Sequence, residues 1–526
     1  MHKRCRPHSP PLCSRLFWGC FFLACASTLL LLDGCHTVPT DPNNITVLIE
    51  SSPTSLDPRI GVDAQSEHID MLLFDSLVRK GAHFNLQPDL ATSWQITDPR
   101  TYIFHLRKDV LFHNGHPLTS RDVRWTLDSM RDGTLITAKA GALKSIASIE
   151  TPDPFTVILH LKYADASLLW NLSDGAIGIV PYKSGRDFQQ HPIGTGPFRF
   201  VQQEVDKEVV LEGNPNSWEG VPHIDRIRFE VVPDAMTRAL ELRKGSADIA
   251  INAFPADITW SLRHDPRLVV ASVAGTNIQY LTLNLRDPYL RDVRVRQAIA
   301  YAINRPLIIQ TLLRGEARSA SSLLPPGHWA YQENNPDYSY NPTRARQLLS
   351  QAGYMPGRDG IRFHLSMKTS TDETARLLSI VLQQQLRQVG IALDVQSFEF
   401  ATFYSDITRG AFGMYSLRWI GGNEDPDIFR YAFATTSEPP HGANRGFYSN
   451  PVVDGLIAKA QQEVDQEDRR ATYAQVQKIL SRDLPTIPLW YLNSVVVYNR
   501  RLTSIEPSPS GNFDFLCNAV LRTKPR

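Results

Sequence analysis

Cysteine is nearly absent from the chain beyond its first 35 residues. Five of the six cysteines lie within residues 1–35, and Cys517 is the only one that follows them. No disulfide framework is therefore available to the body of the protein. No partner motif surrounds Cys517, so we expect a small buried apolar side chain there and not a nucleophile.

The chain also lacks an excess of charge of one sign, and it has few long apolar runs. The 526 residues carry 55 basic and 54 acidic side chains, a net charge of +1. There is no long run of like charge and no low-complexity tract, so we expect no nucleic acid as a partner. After Leu32 no apolar stretch reaches the roughly 20 residues that cross a bilayer as a helix. Length and composition predict an ordinary globular protein of two or three domains.

The motifs of common catalytic and cofactor sites are missing as well. The sequence contains no G-x-S-x-G, H-E-x-x-H, Walker A or G-x-G-x-x-G motif. His113 and His116 flank Asn114-Gly115, a pair typical of a hairpin turn. A zinc site there would lack a third ligand. We therefore expect no enzyme activity, no metal site and no cofactor.

The first 35 residues have the layout of a secretory signal peptide. An apolar run, Leu16–Leu32, ends at Asp33-Gly34-Cys35 and follows four basic residues, Lys3, Arg4, Arg6 and Arg15. A retained membrane anchor is the alternative, but 17 residues with polar interruptions are short for a span.

A cysteine just after such an apolar run resembles the lipobox of bacterial lipoproteins. In a lipobox the cysteine is lipidated and the chain is cut before it, which predicts lipidation at Cys35. Asp33 departs from the pattern, which prefers a small residue at that position. Cys25 is the alternative, but a cut there leaves the apolar Leu29–Leu32 in the mature tail.

From Asn44 onward, strand-like and helix-like segments alternate, which predicts an α/β protein. Residues 224–251 show this best, with a strand, a helix that Asp234 caps and Gly245 ends, and a second strand from Ala247. Such a crossover joins parallel strands, so part of the sheet is predicted to be parallel. The segment "IPLWYLNSVVVYN" predicts one final strand.

The composition of one acidic loop does not by itself indicate the function of that loop. "RWIGGNEDPDIFRY", residues 418–431, contains a tryptophan, adjacent glycines and three acids. Its spacing does not match a calcium loop, which needs oxygen ligands at alternate positions, glycine at the sixth and glutamate at the twelfth.

Several segments, taken in order, resemble a known family. They are "PDLATSWQITDPRTYIFHLRKDVLFHNGHPLTSRDV", "PIGTGPFRF", "YLTLNLRDPYLRDVRVRQAIAYAINR", "YNPTRARQLLSQAGY" and "RGFYSNPVVDGLIAKA". Together they are similar to the extracellular solute-binding proteins of family 5, the dipeptide-, oligopeptide- and nickel-binding group of ABC importers. The similarity runs from about Asn44 to about Ile505.

The resemblance implies a periplasmic-binding-protein-like class II fold, with two lobes, a small inserted subdomain and a ligand cleft between the lobes. We expect residues 1–35 to be the signal peptide with its lipobox, 44–81 and 193–272 to be the first two parts of lobe I, 82–192 to be the inserted subdomain, 273–487 to be lobe II, and 488–526 to be the last part of lobe I. The two chain passages between lobes are predicted at Ala271–Asn277 and Leu484–Pro488, where they would form the hinge.

The resemblance also implies where ligand binds. In peptide-binding members a tryptophan-headed loop lines the cleft, and an aspartate three residues after the tryptophan pairs with the peptide ammonium. Here that position holds glycine, so the ammonium anchor is missing unless Glu424 or Asp425 replaces it. Lys368 matches loosely an arginine that receives the peptide carboxylate, and Asp174 falls at a cleft position. The predicted ligand-binding residues are Trp419, Gly421, Gly422, Asn423, Glu424, Asp425, Lys368 and Asp174.

The function implied is that of a substrate-binding lipoprotein of an ABC importer. It would capture a peptide or a peptide-sized polar solute by lobe closure and pass it to permease and ATPase subunits, as a monomer anchored by lipid outside the cytoplasm. Two alternatives stay open. One is a sensory or scavenging lipoprotein with no dedicated transporter, and the other is a non-peptide cargo such as a metal chelate.

Overall fold

Two large mixed sheets and one smaller antiparallel sheet organise the chain. The computed structural model describes residues 43–81, 84–173, 177–336, 338–421 and 425–522. The predicted signal peptide with Cys35 and Cys25 lies outside the described residues, as do Asp174, Gly422, Asn423 and Glu424. Contacts within the chain separate Met1–Asn44 from Ile45–Arg526, and the fold is that of the second unit.

The strands of the described residues have the following bounds in chain order. They are β1 Asn44–Ile49, β2 Val78–Lys80, β3 Leu86–Pro88, β4 Ala91–Asp98, β5 Thr101–Leu106, β6 Ile146–Asp153, β7 Thr156–Leu161, β8 Phe198–Glu204, β9 Glu208–Gly213, β10 Arg226–Val231, β11 Ile249–Ile251, β12 Leu268–Val273, β13 Ile278–Leu283, β14 Ala317–Ser319, β15 Phe363–Ser370, β16 Ile391–Phe398, β17 Met414–Trp419, β18 Thr486–Leu492, β19 Ser494–Asn499, β20 Leu502–Thr503 and β21 Val520–Leu521.

The α-helices follow the same order. They are α1 Ala64–Leu73, α2 Ser120–Arg131, α3 Leu168–Asn171, α4 Ala235–Lys244, α5 Ala256–Leu262, α6 Val293–Ala302, α7 Arg305–Thr311, α8 Pro342–Gln351, α9 Glu373–Arg387, α10 Phe400–Thr408, α11 Ile428–Phe433, α12 Pro451–Ala460 and α13 Gln466–Asp483. None of the helices within the described ranges is both long enough and apolar enough to cross a bilayer.

The first sheet has the strand order β12-β19-β11-β1-β10-β9-β8. Its strand β1 pairs with β11 in parallel. The helix α4 connects β10 to β11, which lie on either side of β1. Asp234 accepts a hydrogen bond from the Thr237 amide at the start of α4, and Gly245 ends the helix with a φ of 80°. The predicted crossover and the predicted parallel pairing are confirmed.

The second sheet has the strand order β14-β18-β13-β17-β15-β16. Strand β15 runs parallel to both β16 and β17, so the carboxyl ends of these three strands meet at one edge. Strand β13 runs antiparallel to β17 and β18. The start of β13 and the end of β18 therefore lie at that same edge.

The chain passes between the two sheets twice. The first passage, residues 274–277, joins β12 to β13 and falls within the predicted segment. The second is the single residue Asn493, between β18 and β19. The predicted passage at Leu484–Pro488 is therefore wrong, and so is the prediction of one final strand. Strand β18 completes the second sheet beside β13 before the chain crosses.

The smaller antiparallel sheet has the order β4-β5-β7-β6 and shares a core with α2. Its elements lie within the predicted inserted subdomain, whose boundaries stay a prediction. Leu111 and Pro117 pair across the turn at Asn114-Gly115, which confirms the predicted hairpin turn.

His113 at this turn binds the glycine-rich segment "GTGPF". Its Nδ1 accepts from the Gly194 amide at 3.1 Å, so Nε2 carries the proton and donates to the Gly196 carbonyl at 3.1 Å. A Cβ added at Gly194 would lie 1.8 Å from the Leu73 carbonyl oxygen. The segment is therefore a close packing contact in which His113 is neutral.

Cys517 is a free thiol packed against the core of the first sheet. Burial raises the pKa of this thiol. The reactive thiolate is therefore disfavoured, as expected for a structural cysteine.

Candidate functional site

Both chain passages and the Trp419 loop lie at one edge of the second sheet. Ile278, the first residue of β13, pairs with Trp419 on one side and with Tyr491 on the other. Ligands of α/β proteins commonly bind outside the carboxyl ends of the strands. This edge is therefore the strongest candidate for a binding site.

The two passages pack closely against each other. The Leu492 amide donates to the Asn277 carbonyl at 2.8 Å. A Cβ added at Gly275 would lie 2.2 Å from the Leu492 carbonyl oxygen, so only glycine fits without a shift of the backbone. Two adjacent short passages between two sheets are the geometry of a hinge.

Trp419 is half-buried and surrounded by aromatic rings. Its centroid is 6.2 Å from that of Tyr280 and 5.9 Å from that of Tyr431, the second in an edge-on arrangement. A cavity with an empty volume of about 360 Å³ begins beside it, on the face of β13 and β17 covered by α11. The residues that line it are Tyr280, Thr282, Leu323, Trp419, Ala432, Phe433, Ala443, Asn444, Gly446, Pro485 and Thr486.

A larger cavity, of about 520 Å³, lies elsewhere around the second sheet. Arg305, Tyr338 and Leu480 are among its lining residues. Of the predicted site residues that the structure describes, namely Trp419, Gly421, Asp425 and Lys368, none lines it. We therefore take the cavity beside Trp419 as part of the candidate site.

Gly421 connects Trp419 to the acidic loop. Its φ is +63°, a conformation that glycine adopts without strain. Its amide donates to the Asn277 side-chain oxygen at 3.4 Å, which ties the loop to the first passage. The next three positions, which hold the predicted site of the missing ammonium anchor, lie outside the described residues.

Asp425 forms a bidentate ion pair with Arg469 of α13. The Arg469 nitrogens Nη1 and Nη2 lie 2.7 and 2.8 Å from its two carboxylate oxygens. The Arg469 side chain is 4% exposed and that of Asp425 is 13% exposed. Both oxygens of Asp425 thus already serve a buried guanidinium, while its predicted role as an ammonium anchor stays a prediction.

Ser167 joins this ion pair from a distant part of the chain. Its hydroxyl donates to Asp425 at 3.3 Å and accepts from Arg469 at 3.0 Å. The neighbouring Ala166 amide donates to the Gln461 carbonyl at 2.9 Å. These contacts join the segment after the small antiparallel sheet to the helices beside the second sheet.

Lys368, the predicted carboxylate receptor, is already paired. Its Nζ lies 2.6 Å from an oxygen of Asp406, and both side chains are 14% exposed. It lies opposite Tyr415 on β17, four residues or about 13 Å from Trp419 along the strand. The structure therefore places Lys368 within the second sheet, away from the edge that carries Trp419.

Arg445 is a charged residue near the candidate site that the sequence did not indicate. It follows two residues that line the cavity beside Trp419, and it is 8% exposed. Its segment, "NRGFYSNP", has no periodicity that separates a buried arginine from a surface one. Only the packing of the loop on β13 reveals the burial.

A family model for bacterial extracellular solute-binding proteins, family 5 Middle, matches residues 85–440. The chain belongs to the family 5 bacterial extracellular solute-binding proteins. The resemblance stated from the sequence motifs is confirmed. The protein is therefore a solute-binding protein with the two-lobed mixed α/β fold of this family.

The relatives of this protein are named for different ligands. It is 29% identical to di/tripeptide-binding protein 1 of Pseudomonas aeruginosa, over 89% of this chain and 93% of the relative. It is 27% identical to heme-binding protein A of Haemophilus influenzae, over 89% of this chain and 91% of the relative. The structure of NikZ from Campylobacter jejuni in complex with Ni(L-His) superposes with a TM-score of 0.77 at 26% identity, over 91% and 98% of the two chains.

Proposed function

We propose that the protein captures a peptide or a peptide-sized polar solute between its two lobes and delivers it to an ABC permease and its ATPase. The observation that carries this proposal is the edge of the second sheet where the Trp419 loop meets both chain passages. A solute bound at this edge contacts the segments that join the lobes. Such a solute favours the closed state, since it makes contacts that the open state lacks.

A short peptide is the first candidate for the solute. The di/tripeptide-binding relative aligns with 89% of this chain, and the aromatic rings around Trp419 offer apolar surface for peptide side chains. A non-peptide cargo, such as a metal chelate, is the second candidate. It is favoured by Gly422, which stands where peptide-binding members are expected to carry the aspartate that pairs with the ammonium.

The two candidates are separated by a matched pair of peptides. We expect tri-alanine and N-acetyl-tri-alanine to bind the wild-type protein comparably in titration calorimetry, because no carboxylate occupies position 422. In Gly422→Asp the free peptide should gain on the order of 1 to 3 kcal/mol, as for a charged hydrogen bond, while the acetylated peptide gains nothing.

Three outcomes would change this assignment. A tenfold preference of the wild type for the free amine would show that another acid supplies the anchor, with Glu424 or Asp425 as the first candidates. Binding of the nickel–histidine complex without binding of either peptide would favour the second candidate. If the wild-type protein binds none of the three, solute capture of this chemistry is refuted.

We also propose that Cys35 carries the lipid that anchors the mature protein at a membrane surface outside the cytoplasm. Two or more acyl chains anchor stably, so Cys35→Ser should move the protein from the membrane to the water-soluble fraction. Intact-mass analysis provides the independent check. A mature chain without acyl mass that begins elsewhere would contradict the lipid anchor.

A further inference from the structure

The small antiparallel sheet is fixed to the first sheet. Asp75 closely follows α1, which packs in the core of the first sheet. Its carboxylate accepts from the Thr195 hydroxyl and from the Trp218 side-chain nitrogen, each at 2.8 Å. Trp218 packs against the core of the small sheet, and Ile193 packs against both cores. The small sheet with α2 and α3, which we call the small-sheet body, therefore belongs to the lobe of the first sheet.

The small-sheet body also contacts the lobe of the second sheet through hydrogen bonds. The Ala166 amide, in the turn before α3, donates to the Gln461 carbonyl, directly after α12, at 2.9 Å. The Ser167 hydroxyl donates to Asp425 at 3.3 Å and accepts from Arg469 at 3.0 Å. Both contacts join segments that lie on opposite sides of the two chain passages.

Apolar and aromatic side chains add to this contact between the lobes. Val464, in the turn between α12 and α13, is half-buried and packs against the core of the small sheet. The ring centroid of Phe84, between β2 and β3, lies 5.1 Å from that of His328. His328 is followed by Ala330, which packs in one core with Tyr491 of β18.

Opening of the lobes must break these contacts. The lobes are joined covalently by the adjacent passages 274–277 and Asn493, which have the geometry of a hinge. A third connection between the lobes opposes rotation about such a hinge for as long as it persists. The connection made by Ala166, Ser167 and Val464 is noncovalent, so it belongs to the closed arrangement and can be released.

We infer that Ala166, Ser167 and Val464 form a latch that holds the lobes closed and sets the affinity for the solute without touching it. The described residues that line the cavity beside Trp419 do not include these three. The inference goes beyond the proposed function, which attributes closure to contacts that the solute makes.

The latch should change the affinity for every solute by the same factor. When only the closed state binds tightly, the apparent Kd equals the intrinsic Kd divided by the closed fraction. A weaker latch lowers the closed fraction and leaves the contacts with the solute intact. A residue that touches the solute would instead affect some solutes more than others.

Val464→Asp is the main test variant, because closure would press its carboxylate against the apolar core of the small sheet. The solutes are tri-alanine, N-acetyl-tri-alanine and the nickel–histidine complex. In titration calorimetry, those that the wild type binds should lose affinity by one common factor of about 10 to 100. Val452→Asp is the matched control. It makes the same substitution on α12 at a residue that is 61% exposed, so its affinities should stay within about twofold of the wild type.

Ser167→Ala is a milder second variant that leaves the apolar core unchanged. The loss of one hydroxyl should weaken binding of the same solutes by about 2- to 10-fold, again by one common factor. This variant provides the test if Val464→Asp does not fold. Wild-type affinity in a folded Val464→Asp protein would overturn the latch. Losses that differ between solutes would overturn it as well, because they indicate direct contact with the solute.

Hydrogen exchange of the ligand-free proteins tests the latch without any solute. The Ala166 amide donates across the contact, so closure should slow its exchange. We expect the peptide that contains Ala166 to exchange faster in Val464→Asp than in Val452→Asp, while exchange in β5 stays the same. Equal exchange in the two variants would overturn the inference. If none of the solutes binds but exchange differs as expected, the proposed function fails and the latch stands.

Discussion

Arg469 and Arg445 are both buried beside the second sheet, yet their surroundings differ. Arg469 has two carboxylate oxygens and a serine hydroxyl as acceptors. Arg445 has the hydroxyls of Tyr404 and Tyr415, and it forms no ion pair with a carboxylate of the described residues. A charge whose partners all come from the protein stabilises one arrangement of the chain. A charge without a carboxylate partner stabilises that arrangement less, so we expect Arg469 and its carboxylate to contribute more to the stability of the fold than Arg445.

The largest expected effect comes from leaving Arg469 without its carboxylate. Asp425→Ala should lower the free energy of unfolding by about 3 to 5 kcal/mol, because it leaves a buried guanidinium unpaired. Urea denaturation measures this loss. The control is Glu467→Ala, which breaks an exposed pair with Arg470 one residue along the same helix and should cost under about 1 kcal/mol.

The double variant Asp425→Ala, Arg469→Met tests whether the loss of stability comes from the unpaired guanidinium of Arg469. It should recover part of the stability that Asp425→Ala loses, because the unpaired charge is gone. If Asp425→Ala alone is as stable as the wild type, the ion pair with Arg469 does not stabilise the fold. Asp425 is then available to bind ligand, and the expected difference between Arg469 and Arg445 is refuted.

A smaller effect is expected from His113, a half-buried side chain with a hydrogen-bond partner for each ring nitrogen. Burial lowers the pKa of His113 from 6.5 to about 4. The unfolded chain therefore takes up the proton first, so stability is fully present above about pH 6.5 and is lost as the pH falls toward 4. His113→Gln keeps a donor and an acceptor but does not titrate.

Chemical denaturation between pH 6.5 and 4 provides the measurement for His113. The wild type should lose roughly 1 to 3 kcal/mol more than His113→Gln over this range. Burial lowers the pKa of His68 to about 4 as well, so His113→Gln retains part of the acid sensitivity. Identical losses in the two proteins would show that His113 is not held neutral by its contacts with the glycine segment.

The smallest effect is expected from Ser167, which adds one hydroxyl to the Asp425–Arg469 pair. Ser167→Ala should cost about 1 kcal/mol, the usual contribution of a single hydrogen bond. A double-mutant cycle with Asp425→Ala should show coupling between the two positions. Strict additivity would mean that the serine does not contribute to the pair.

Local sequence patterns predicted much of the fold, but they predicted one final strand where the structure has two, β18 and β19. The crossover around α4 was predictable because Asp234 and Gly245 mark the two ends of the helix within a few residues of chain. The break at Asn493 was not predictable, because apolar residues run through both β18 and β19. Which of two sheets a strand joins is decided by distant partners, here β13 and β11.

The candidate site shows the same division. Trp419 was predictable from a motif that places it at the head of a loop, and the structure sets it at the edge beside both passages. The partners of Lys368 and Asp425 lie 38 and 44 residues away along the chain. The burial of Arg445 among tyrosines is a property of packing alone. No sequence pattern records which acceptors a buried side chain fails to find.

The most direct test of capture by lobe closure is small-angle X-ray scattering of the wild type and of Trp419→Ala, each with and without saturating tri-alanine. Titration calorimetry on the same samples establishes whether the peptide is bound. The account predicts a smaller radius of gyration for the peptide-bound wild type and no change for Trp419→Ala, which should bind weakly. A wild-type protein that binds the peptide with an unchanged radius of gyration would contradict it.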